Sequence, residues 1–143
     1  MIEHPDDRRP PLGFLLVRLG EAVDRDFVAS LTDLGLRPRH LRLLVLVDRA
    51  GELNQRELAG QLGMDPGNLV GILDSLEADG LIARPRGEGD RRQRLVRLTP
   101  SGRRLLARAL RATAAIDERI LTALPASHRD RFYEMTLSVY EKL

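Results

Sequence analysis

Arginine is the residue type best placed to do chemistry in this sequence. The 143 residues contain 22 arginines and a single lysine, Lys142. Ten of those arginines lie between Arg84 and Arg111 against two acids, Glu88 and Asp90. That stretch carries +8, and the remaining 13 basic and 19 acidic side chains give −6. A guanidinium stays charged at any physiological pH and presents a planar fork of donors suited to phosphates and base edges. A basic segment on an otherwise acidic chain therefore points to a polyanion; the alternative is a solvated surface with acidic neighbours in space. Other chemistries are poorly supplied. The absence of cysteine excludes disulfides, thiolate metal sites, cysteine nucleophiles and thiol oxidation sensing. The three histidines, His4, His40 and His128, are too far apart in sequence to suggest a metal cluster. There is no glycine-rich phosphate loop and no nucleophile–base pair at usable spacing, so neither an enzyme nor a resident cofactor is expected.

Positioning those arginines takes helices and one hairpin. A period of three and four runs from Leu12 through Leu15, Leu16, Leu19, Ala22, Val23 and Phe27 to Leu31 and breaks at Gly35, predicting a long amphipathic helix. A second helix follows Pro38 and ends near Gly51, and Glu52-Leu53 reads as a connector. Asn54, with Glu57 three residues on, signs the start of a short helix over Gln55–Leu62 that stops at Gly63. Asp65-Pro66 opens the next helix, with apolar positions Leu69, Ile72, Leu73 and Leu76, ending at Gly80. The period then changes. Leu81–Pro85 and Arg94–Leu98 read as two strands around a Gly87–Asp90 tip, a basic β-hairpin. Thr99-Pro100 starts a long helix, and Pro125 opens the last one, with Phe132, Met135, Val139 and Leu143 in line.

The two helices on either side of Gly63 form a helix-turn-helix, and the hairpin beside it forms a wing. In such a unit the exposed start of the second helix meets base edges or phosphates, partly through its free N–H groups and positive dipole end. Wing arginines can enter a minor groove. The apolar stripes at both chain ends are too long for a small winged-helix core, so they predict a homodimer, which suits two-fold DNA sites. Dimer contacts are expected from Leu12, Leu15 and Leu19, and from Ile120, Leu124, Phe132, Met135 and Val139.

Three segments resemble the MarR family of bacterial transcription regulators: Leu58–Asp65, Leu73–Arg84 and Asp90–Gly102. The most specific part is the wing pattern Asp90-x-Arg92 followed by Leu98-Thr99-x-x-Gly102. The resemblance covers nearly the whole chain. It implies a mostly α fold with a small β-hairpin wing, a winged helix-turn-helix at 36–99 flanked by dimerisation helices at 11–35 and 100–143, with residues 1–10 a flexible arm. It also implies a homodimeric repressor on palindromic double-stranded DNA, released by a small, often aromatic and anionic, effector. Arg92 matches the wing-tip arginine and Asp90 the acid that orients it, though Asp is also a common turn residue. Arg84, Arg86, Arg91 and Arg94 are candidate phosphate contacts, as are Gln55 and Arg56.

Pro66, Gly67, Asn68, Val70 and Gly71 match the exposed start of the recognition helix, but they depart from the family's Ser/Thr-rich pattern. Only Asn68 can make bidentate base contacts, Val70 can meet a thymine methyl, and the glycines either allow close approach or weaken the helix. Specificity is therefore expected to lean on the wing and on DNA shape. Those thin donors leave open a second reading, a winged-helix module that binds protein instead of DNA. For the effector pocket the candidates are Phe14, Arg18, His40 and Leu44, with Arg18 or His40 pairing an anion; an ordinary core Phe14 and a helix-start His40 are the alternatives. At 43% apolar and 31% charged residues, one globular domain is expected. No apolar run approaches the ~18 residues of a membrane span. The first residues lack signal-peptide order, so a cytoplasmic location is expected.

Overall fold

The computed structural model describes residues 9–85 and 94–143. Helix α1 (Leu12–Leu31) follows Pro10-Pro11 and runs into a 3-10 turn, Thr32–Leu34, closed by Gly35. Helix α2 (Pro38–Ala50) has proline at its first position. Its amino end is closed when His40 Nδ1 accepts the Arg37 N–H at 3.1 Å. Helix α3 (Gln55–Leu62) is capped by Asn54, whose Oδ1 accepts the Glu57 N–H at 2.8 Å. Gly63 ends it at φ +61, a left-handed conformation that costs glycine little. The Met64 N–H then closes the turn on the Ala59 carbonyl. Helix α4 (Pro66–Ala78) starts two residues later.

The sheet is small and antiparallel, in the order β1-β3-β2. Strand β1 (Leu53–Asn54) pairs with β3 (Leu95–Leu98) through Leu53–Val96 and Asn54–Leu95. Strand β2 (Ile82–Ala83) pairs with β3 through Ile82–Leu98 and Ala83–Arg97. The expected connector at Glu52-Leu53 is thus partly a strand. Two residues carry no strand signal of their own, and their partner lies about forty residues on. Helix α5 (Pro100–Thr122) is capped by Thr99. The last helix, α6 (Arg129–Tyr140), begins at Arg129 instead of Pro125, because Ala126–His128 forms a 3-10 turn first.

One core joins the end of α1 to α2, α3, α4, the sheet and the first half of α5. Leu31, Leu43, Leu44, Val47, Leu58, Leu69, Leu73 and Val96 are fully buried in it. The chain ends do not take part. Leu31 is the one buried residue of α1, and α6 buries none. Leu12, Phe14, Leu15, Leu16, Leu19, Phe132, Met135 and Val139 stay exposed, while Ile120 and Leu124 are half-buried. Apolar side chains at this density on two helices form an unpartnered surface.

Candidate nucleic-acid interface

The amino end of α4 stands out from the core. Leu69 is buried and anchors it, while Pro66, Gly67, Asn68, Val70 and Gly71 are all exposed. A helix that buries positions 69, 73 and 76 must turn 67, 68, 70 and 71 outward. The helix N-terminus itself is not open to an anion, contrary to the sequence-based expectation. Asp65 Oδ2 accepts the N–H of Gly67 at 2.9 Å and that of Asn68 at 3.4 Å, so the cap occupies two of the free donors. A Cβ on Gly67 would stand 2.9 Å from the same oxygen, so glycine makes room for the cap. A Cβ on Gly71 would meet nothing within 4 Å, so that position is open surface.

The root of the wing is bound to the start of α3, and its own two strands are bonded to each other. The Gln55 N–H donates to the Arg94 carbonyl at 3.0 Å, and the Leu95 N–H donates to the Pro85 carbonyl at 3.1 Å. Gln55 is half-buried, and its carboxamide oxygen is buried without a hydrogen-bond partner among the described residues. Arg56 and Arg94 are exposed beside it. Arg86, Asp90, Arg91 and Arg92 lie outside the described residues.

Arg84 does not face solvent as expected of a phosphate contact. Its side chain is 10% exposed. Nε donates to Glu77 Oε2 at 2.6 Å, and a terminal nitrogen donates to Asp74 Oδ1 at 2.6 Å. Burial alone would lower its pKa, but the hydrogen bonds and charges of Glu77 and Asp74 outweigh that and raise it. Sequence reading missed these partners because Asp74 and Glu77 look like ordinary polar helix positions.

The Leu98-Thr99-x-x-Gly102 pattern has a structural explanation. Thr99 Oγ1 donates to the Gly80 carbonyl at 2.6 Å and accepts the Gly102 N–H at 3.0 Å. The Thr99 N–H donates to the Leu81 carbonyl at 3.1 Å. A Cβ on Gly102 would lie 2.0 Å from that carbonyl oxygen. Thr99 and Gly102 together seat the first turn of α5 on the turn that leads into β2. Arg97, on β3, reaches Glu52, and Arg119 on α5 pairs with Asp26 on α1.

A cleft of about 510 Å³ opens between α1, α2 and α5. Its apolar wall includes Val23, Phe27, Val45 and Leu110, and two arginines of α2, Arg42 and Arg49, line it together with two acids, Asp24 and Asp117. None of the four expected pocket residues does. Phe14 and Arg18 sit on the exposed amino half of α1, where Arg18 pairs with Glu21. Leu44 is wholly inside the core. His40 is half-buried at the start of α2, and burial, then the charges of Arg39 and Arg37, lower its pKa. A sequence signal for the cleft did exist: Pro38, Leu41, Arg42, Val45 and Arg49 follow helical spacing along one side of α2.

The sequence model of the MarR family matches residues 36–93. The chain is 33% identical over 125 residues to the HTH-type transcriptional repressor Rv2887 of Mycobacterium tuberculosis, covering 87% of this chain and 90% of that one. The structure of Rv2887 with salicylic acid superposes with a TM-score of 0.75 at 31% identity, over 92% of this chain and 98% of the other. The transcriptional repressor CouR bound to a 23-mer DNA duplex gives a TM-score of 0.82 at 34% identity, over 91% and 92% of the two chains. CouR from Rhodococcus jostii bound to p-coumaroyl-CoA gives 0.76 at 35% identity, over 90% of each. The helix-turn-helix, its three-stranded wing root and the long helices at both ends thus recur together in these relatives, and the chain belongs to the MarR family of transcription regulators.

Proposed function

We propose that this chain is a homodimeric transcriptional repressor that binds palindromic double-stranded DNA and is released by a small anionic ligand. Residues 36–99 read the DNA, and 11–35 with 100–143 form the dimer. The observation that carries the reading is the exposed face Pro66–Gly71 of α4, on a helix tied through Asp74 and Glu77 to Arg84 at the root of an arginine-rich hairpin. The DNA-bound relative supports it. In this reading Asn68 and Val70 meet base edges, Arg56 and Arg94 neutralise phosphates, and Arg92 enters the minor groove with Asp90 orienting it. Release follows when a ligand occupies the cleft with its apolar body on Phe27 and Val45 and its acid on Arg42 or Arg49. The relatives bound to salicylic acid and p-coumaroyl-CoA support an aromatic acid or its thioester. The protein acts in the cytoplasm and catalyses no reaction.

Selection of bound duplexes from a random pool tests the proposal. A two-fold symmetric consensus is expected, with affinity falling steeply with salt as phosphate counterions are released. One observation favours the alternative of a protein-binding module: Asp65 already holds two donors at the start of α4, and Asn68 is the only bidentate side chain there. If no duplex binds in a salt-sensitive way even at low ionic strength, that alternative replaces the repressor reading.

A further inference from the structure

We propose that Arg84 is a positioning residue that locks the wing to the recognition helix, and is not itself a phosphate contact. The inference rests on the DNA-binding reading above. Arg84 leaves the end of β2, and its guanidinium spans Asp74 and Glu77, which lie one turn apart on α4. A planar group held at two points resists both sliding and rotation, as a single flexible contact does not.

Backbone bonds and the buried Ile82, Val96 and Leu98 seat the root of the hairpin on the core, and among the described residues Arg84 makes the ion pairs that tie it to α4. Strand β2 pairs with β3 at two positions, Ile82–Leu98 and Ala83–Arg97, and the Leu95–Pro85 bond continues the ladder, so the hairpin leaves the core on a short stem. If α4 reads one groove while the wing enters another, their relative placement must hold to roughly 0.5 Å for both to engage at once. The acidic pair supports the same conclusion. Asp74 and Glu77 put negative charge on the helix that approaches phosphates, which opposes binding in itself. Gripping Arg84 gives them a role. The side chain is 10% exposed and has little surface left to offer DNA.

The test uses the full-length protein and the duplex selected from the random pool. Wild type, Arg84→Ala, Arg84→Lys and the double variant Asp74→Asn/Glu77→Gln are titrated at several salt concentrations, with thermal melts and size-exclusion chromatography alongside. The double variant removes two negative charges, yet it is expected to bind about tenfold or more weakly, with an unchanged salt slope. Arg84→Lys keeps the charge but not the fork, and should lose about as much as Arg84→Ala. Selection repeated with Arg84→Ala should flatten preference at the outer, wing-read positions and keep it at those read by α4.

The proposal is overturned if the double variant binds as well as or better than wild type. It is also overturned if Arg84→Ala lowers the salt slope by about one phosphate and lysine restores it. A uniform loss across all sequences that tracks lost thermal stability counts against it in the same way. Should Arg84→Ala fail to fold, Asp74→Asn and Glu77→Gln each keep one arm of the fork, and unchanged affinity in both would refute the idea. Failure of wild type to bind any duplex would instead remove the DNA-binding reading, and this inference with it.

Discussion

Gly102 sits where the Leu81 carbonyl leaves no room for a side chain, with 2.0 Å between that oxygen and a Cβ built on the glycine. Both groups are backbone, so neither can swing away. Gly102→Ala should therefore lower stability by about 1–3 kcal/mol through displacement of α5 from the root of β2. Urea melts check this, and an unchanged midpoint would show that the helix shifts freely. His40 makes a pH prediction. Its neutral Nδ1 accepts the Arg37 N–H, and burial with two flanking arginines lowers its pKa below the ordinary value. As pH falls, the unfolded chain takes up this proton first. The stabilisation is thus complete above the unfolded value of about 6.5 and is lost as pH drops through it toward the folded value. His40→Gln keeps an acceptor without titrating. Its melting temperature should fall less than that of wild type between pH ~7.5 and ~5.5.

At the scale of elements, the proposed repressor divides the reading of DNA between α4 and the wing. Asn68→Ala should relax preference at one base position per half-site by ~1–3 kcal/mol, visible as one flattened column in a repeated selection. Arg92→Ala should weaken operator binding while leaving the dimer intact, and unchanged affinity would remove the wing from the interface. The elements themselves are largely legible from sequence. Asn54 with Glu57, Gly63, Asp65-Pro66 and Thr99-Pro100 mark helix ends, because caps act within three or four residues and need no distant partner. Strand β1 is not legible, since it exists only through pairing with β3. Nor is the capture of the α4 N-terminus by Asp65. The sequence shows the cap residue, but not that its carboxylate fills the donors otherwise assigned to DNA.

The whole molecule keeps much of its apolar surface outside its own core. Phe132 is 40% and Met135 59% exposed on a helix that buries nothing, and the amino half of α1 is equally bare. Phe132→Glu with Met135→Glu should shift the protein toward monomer in size-exclusion chromatography and reduce operator binding, since two half-sites would no longer be joined. A variant that stays dimeric would place the interface elsewhere. The cleft sets a further expectation. Arg42→Ala should leave DNA binding near wild type and raise the concentration of an aromatic acid, with salicylate as the probe, needed to release the operator. Unaltered release would exclude Arg42 from the ligand.

By itself the sequence determined the order of helices and hairpin, their caps, the basic segment and the surplus apolar stripes. Each of these is written in short-range spacing or composition. Tertiary structure alone decided what the side chains touch. It took Arg84 from the solvent to Asp74 and Glu77, set the Leu81 carbonyl against Gly102, and put Phe14 and Arg18 outside a cleft lined by Arg42 and Arg49. Local propensities fix which segments are helical. Which charge meets which depends on how those segments pack, and that is settled by burial of Leu31, Leu44, Leu58 and Val96 in one core drawn from across the chain.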